Sequence, residues 1–113
     1  MARGSARGSA TMTPFRFHRE ARAEQQLAVE TYTLRSLDVG DRFERALSYC
    51  LRLICDEPET WPLWRGRPGI RSHRVRGFPY RMIYVIRDGR VFIVAVAHGR
   101  RRPGYWLPRL PRR

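Results

Sequence analysis

The chain is 113 residues long and carries 23 basic residues, every one an arginine, against 10 acids, for a net charge of +13. That length allows a single domain with one modest core, and an apolar fraction of 42% excludes a disordered tail. No apolar run approaches the roughly 20 residues of a membrane span, and no secretory apolar segment follows the start.

The opening MARGSARGSATMT repeats ARGS in tandem without apolar periodicity. Residues 1–13 read as a disordered leader, an expression-vector remnant or a start placed too early, with Met12 as the alternative. Pro14 to His18 is expected to be a short strand with Phe15 and Phe17 on one face. From Arg19 to Leu37 helix formers dominate, and Ala23, Leu27, Ala28, Thr31 and Leu34 supply a thin apolar stripe. Asp38-Val39-Gly40 reads as a turn. Asp41 followed by Glu44 is a capping pair opening a second helix, on which Phe43, Leu47, Cys50, Leu51 and Ile54 fall at helical spacing. Cys50 and Cys55 point to different faces of that helix, so no disulfide is expected and a reducing cytoplasm is the default.

Pro58 and Pro62 end the helical hairpin, and WPLWRGRPG is a loop. Three strands follow: a polar one over 70–77, a denser one over 79–87, and 91–98, apolar at every position before its histidine. Asp88-Gly89 is a hairpin turn signal between the last two. The uniform apolarity of the final strand suits cover on both faces. The expected order is β-α-α-β-β-β, an α+β fold with a helical hairpin packed on a small antiparallel sheet. After Arg100, Pro103-Gly104 turns the chain away.

Charge divides the chain unevenly. Residues 1–60 hold nine arginines and nine acids, whereas residues 61–113 hold fourteen arginines and only Asp88, so the whole excess lies in the second half. Solvated faces usually mix both signs; a one-signed half points to an anionic partner, nucleic acid or acidic protein. His18, His73 and His98 stand at no metal-ligand spacing, no phosphate-binding glycine loop with its Lys-Ser/Thr is present, and no paired carboxylates lie in the basic half. No cofactor or metal is therefore called for.

Arginine is a poor base at neutral pH but neutralises phosphate oxygens well. RNA brings its own nucleophile, the 2′-hydroxyl, so cleavage needs alignment, charge stabilisation and proton transfer. His98 and Tyr105 are the side chains suited to move protons, Tyr105 only if neighbouring arginines lower its pKa. Bland readings stand beside these. His98 ends a strand, where a hydrogen-bonded structural histidine is common. Tyr105 and Trp106 can pack the C-terminal segment onto the core, Arg74 and Arg76 can decorate an edge strand, and Trp61 and Trp64 can anchor a loop.

The helical hairpin ending in ETWP, then IRSHRVRGFPYRMIYVI, the Asp-Gly turn and VFIVAVAHGRRRPGYW together resemble the RelE/ParE superfamily of type II toxin–antitoxin toxins, which includes plasmid-stabilisation proteins. The likeness spans about residues 14–109. It implies a cytoplasmic toxin held inactive by a cognate antitoxin, with no membrane partner. Two activities occur on this fold: ribosome-dependent mRNA cleavage without a metal, in RelE-like members, and non-enzymatic inhibition of DNA gyrase, in ParE-like members. An inactive relative that binds only nucleic acid or antitoxin is a further possibility.

The RelE-like pattern places Arg81 and Arg100 on the scissile phosphate and Arg74 and Arg76 on the RNA backbone. Tyr105 or His98 then transfers protons, while Trp106 competes with Tyr105 in the alignment and Arg101 and Arg102 join the RNA- or partner-binding set. Ser72 stands where that group carries lysine, and His98 matches a histidine seen in many ParE-like sequences. On this reading mRNA cleavage is the leading expectation and gyrase inhibition its alternative.

Overall fold

A computed structural model describes residues 12–111. Of the leader reading over residues 1–13, residues 1–11 lie outside the described residues, while the Thr13 N–H donates to the Cys55 carbonyl at 3.1 Å. The elements run β1 (Phe15–Phe17), α1 (Arg19–Arg35), α2 (Leu37–Asp56), β2 (Arg71–Val75), β3 (Tyr80–Arg87) and β4 (Arg90–His98), with single 3₁₀ turns at Trp64–Gly66 and Leu107–Arg109. The expected α+β order is therefore present. The sheet order is β1-β4-β3-β2, antiparallel except where β1 joins β4 in parallel, so the sheet is mixed. No helix among the described residues is long and apolar enough to cross a membrane.

The helical hairpin breaks earlier than the sequence suggests. Ser36 is extended, and its hydroxyl accepts the Val39 N–H at 3.3 Å, which caps α2. Asp38-Val39-Gly40 is thus the first turn of α2 and not a loop, and Asp41 with Glu44 lies inside the helix. Asp38 and Asp41 instead pair along the helix with Arg42 and Arg45, each at 3.4 Å. Gly40 is buried at the crossing, where any Cβ would run into Thr33; its missing side chain lets the two helices turn back this tightly.

The α2 row packs as its spacing requires: Phe43, Leu47, Cys50 and Ile54 are buried against Val75, Met82, Tyr84, Val91, Ile93 and Val96. The α1 stripe does not. Ala21 and Ala28 are its buried residues, with Glu24 and Tyr32 half-buried on the same side, while Leu27 and Leu34 are 65% and 87% exposed. Half-buried polar groups mark the inner face of α1, and its leucines look outward.

β4 is covered on both faces. A register shift between Ile83 and Tyr84 leaves Val94 as an extra residue, so Val94 and Ala95 both join the face away from the helices. There they meet Ile70, Ile83, Val85 and Trp106. The chain after Arg100 does not leave the body. It folds back over this second face, and Trp106 is 2% exposed with its ring edge-on to Trp64 at 4.7 Å.

Candidate functional site

At one end of the sheet's second face, Arg74 on β2 stands directly opposite Arg81 on β3, and both are exposed. Like charges facing each other across a sheet weaken it. Beside Arg81 the segment after β4 and the Trp64 loop enclose a cleft of about 200 Å³, lined by Arg65, Arg81, Arg101, Arg102, Trp64 and Tyr105. Arg65 stands there with a left-handed backbone, φ 48°. That conformation is uncommon for a bulky side chain and recurs at functional sites.

The two proton-transfer candidates are both engaged. The Tyr105 hydroxyl donates to Glu24 Oε2 at 2.7 Å. Burial, followed by the Glu24 carboxylate, pushes its pKa up and outweighs the pull of Arg101 and Arg109. The expectation that neighbouring arginines lower it is overturned: burial, together with Glu24 reaching in from α1, outweighs them. His98 borders the cleft, but its ring stands edge-on to Tyr80 at 4.9 Å, and its Nδ1 accepts the Arg100 N–H at 3.0 Å. With Nδ1 accepting, the neutral ring carries its proton on Nε2 and keeps no spare lone pair.

The remaining candidates separate. Arg81, Arg101 and Arg102 converge on the cleft, and Arg74 borders it through Arg81. Arg76 is directed away, its guanidinium 5.6 Å from the Tyr49 ring on α2. Arg100 is exposed in the turn after β4, outside the cleft lining. Trp106, expected as a binding residue, is instead buried with its ring edge-on to half-buried Trp64, because the returning segment needs an apolar anchor.

Sequence reasoning missed Glu24, Arg65 and Arg109. Glu24 is only 17% exposed, and it gathers the C-terminal segment. Its Oε1 accepts the Val96 N–H at 3.0 Å, and Arg109 straddles the carboxylate at 2.9 and 3.1 Å while also donating to the Val94 carbonyl at 3.1 Å. β1 pairs with β4 only as far as Ile93, so these side chains satisfy the edge of β4 beyond it. The one signal in the sequence was an acid among residues that face inward, and periodicity drawn through the leucines hid it.

Cys50 Sγ lies 3.6 Å from His73 Nδ1, but burial pushes this thiol up to about 12 and Cys55 up to about 11, so neither is a thiolate nucleophile near neutrality. Among the described residues no three His, Cys, Asp or Glu side chains are grouped to hold a metal. The site is thus an arginine cleft with an aromatic floor. It can grip an anionic surface, while its tyrosine hydroxyl is bound to Glu24 and His98 Nδ1 is occupied by the Arg100 N–H.

The family described as "ParE toxin of type II toxin-antitoxin system, parDE" matches residues 15–103. Among solved structures, the fold is similar to one titled "Chromosomal ParDE TA system from P. aeruginosa", with a TM-score of 0.66 at 11% identity, covering 79% of this chain and 98% of that one. No curated protein matches the chain.

Proposed function

Because the chain belongs to the ParE family of type II toxins, we propose that it arrests growth by binding and inhibiting DNA gyrase through its arginine cleft, without cutting RNA. The observation that carries this reading is the Tyr105–Glu24 bond, which takes the nearest hydroxyl out of proton transfer. With the His98 Nδ1 occupied as well, Arg65, Arg81 and Arg102 are left as binding groups, joined by Arg101, which is half exposed although it lies 3.9 Å from Glu24 and over the Tyr105 ring. Clustered guanidinium forks suit carboxylates and phosphates, both of which a gyrase–DNA complex presents.

The cognate antitoxin is the second partner. On α1, Leu27 and Leu34 are 65% and 87% exposed seven residues apart on one face, and Leu37, just past the break at Ser36, is 79% exposed beside them in sequence, an apolar surface of the kind that accepts an amphipathic helix. In this proposal the antitoxin lays such a helix along that row.

mRNA cleavage remains the second reading, favoured by the Arg74–Arg81 pair, which also suits a phosphodiester. The two separate in vitro. Purified chain added to gyrase and relaxed plasmid should block supercoiling, and Arg81→Gln with Arg101→Gln should weaken that block by about tenfold or more, as expected for clustered arginine anchors. Intact supercoiling alongside cleaved message in a translating extract would replace this reading with the nuclease one.

A further inference from the structure

The opposite end of the same sheet face carries a second arginine constellation. Arg87 and Arg90 face each other across the β3–β4 turn, whose Asp88 and Gly89 both have positive φ (52° and 73°), the geometry of a tight two-residue hairpin. Arg16, from β1, sets its guanidinium 5.4 Å from the Phe92 ring beside them. These three arginines wall a groove of about 730 Å³. Arg87 is also the wall of an adjoining groove of about 620 Å³, and its guanidinium is fixed by donating to the Pro111 carbonyl at 3.1 Å. Asp88 is the acid at this end, and Arg109, which reaches the groove, is already matched by Glu24.

We propose that this hairpin end is a second contact site, one that takes the phosphodiester backbone of nucleic acid on Arg16, Arg87 and Arg90. The inference goes beyond the gyrase reading and holds whichever target the toxin has. Three features support it. A second like-charge pair facing across the sheet costs stability unless an anion joins it. Pro111 and Phe92 hold two of the forks in place before binding, so little freedom is lost on contact. Finally, Arg81 and Arg87 lie on one strand and one face, six residues and so about 20 Å apart. A backbone that repeats its charge about every 3.4 Å of rise can touch both ends at once. An isolated acidic side chain on a folded partner cannot.

The test is binding of the full chain to a labelled twelve-base-pair DNA duplex and a twelve-nucleotide RNA across a salt series. The variant Arg16→Gln/Arg87→Gln/Arg90→Gln is compared with Arg42→Gln/Arg45→Gln/Arg52→Gln, which removes the same charge from α2. The hairpin-end variant should lose about tenfold in affinity and flatten the salt slope by about two to three ions, while the α2 variant stays within about threefold of the parent. Preference for the duplex or for the RNA identifies the source of the backbone. If Arg87→Gln disturbs folding, Arg16→Gln/Arg90→Gln gives the same comparison. Equal losses in both triple variants, no loss at the hairpin end, or equally strong competition by polyglutamate would each overturn the proposal. Arg74→Gln/Arg81→Gln, run in parallel, reports on the cleft end of the same backbone, and its outcome does not alter the comparison of the two triple variants.

Discussion

Tyr105 and Glu24 are 81 residues apart in sequence, yet the tyrosine hydroxyl donates to the glutamate at 2.7 Å. The bond ties the segment after β4 to the first helix, across the sheet edge where β1 stops. It also decides the chemistry, since a hydroxyl bound to a carboxylate and raised in pKa cannot serve as a base near neutrality.

Glu24 should therefore be a stability residue. Glu24→Ala strands Arg109, whose side chain is 15% exposed, and frees the Val96 N–H. We expect a loss of about 3 kcal/mol, the scale for breaking a partly buried, hydrogen-bonded pair, read as a lower urea midpoint. Glu24→Gln retains an acceptor and should lose less.

Tyr105→Phe should cost about 1 kcal/mol, the net value of one hydrogen bond, and leave toxicity intact. The pH dependence follows from the raised pKa of the folded hydroxyl. Its contribution is complete below the ordinary tyrosine value near 10 and is lost as pH rises from there through the folded value. Urea midpoints measured between about pH 9 and pH 11 should fall less steeply for Tyr105→Phe than for the parent. Identical slopes, or loss of toxicity in the variant, would contradict the structural role.

Both thiols should resist aromatic disulfide reagents in the folded protein at neutral pH and react together on unfolding. Cys50 and Cys55 are 1% and 0% exposed, and burial pushes their pKa values up to about 12 and about 11. Fast labelling of either without unfolding would show that α2 opens locally.

Leu27→Asp/Leu34→Asp should change folding stability by less than about 0.5 kcal/mol per site, because both side chains are exposed. The same change should abolish neutralisation by the antitoxin. Co-expression rescue reads this directly: a variant that stays toxic beside its antitoxin supports the docking row, and full rescue rejects it.

What the sequence made legible follows from local physics. The Asp88-Gly89 turn, the α2 row from Phe43 to Ile54 and the doubly covered β4 each rest on a pattern within one element. The rest depends on partners distant in the chain. Leu27 and Leu34 satisfy helical periodicity as well as a core row does, and only the position of the sheet shows that Ala21, Glu24 and Ala28 face inward. The break at Ser36 was masked by Asp38 and Gly40, residues common in turns but here used for ion pairing and for the close crossing at Thr33. Tyr105 read as a proton carrier because arginines lie close to it in sequence; what governs it is burial and a carboxylate that comes from α1.

In the function we propose, this toxin acts on gyrase and cuts no RNA. The most direct measurement follows DNA breaks, the SOS response and transcript 5′ ends in one culture after induction of the full chain. Growth arrest with DNA breaks, SOS induction and unaltered transcript ends is the predicted result. New 5′ ends with codon periodicity inside translated messages, without SOS, would contradict it and return Arg81 and Arg100 to a cleavage site.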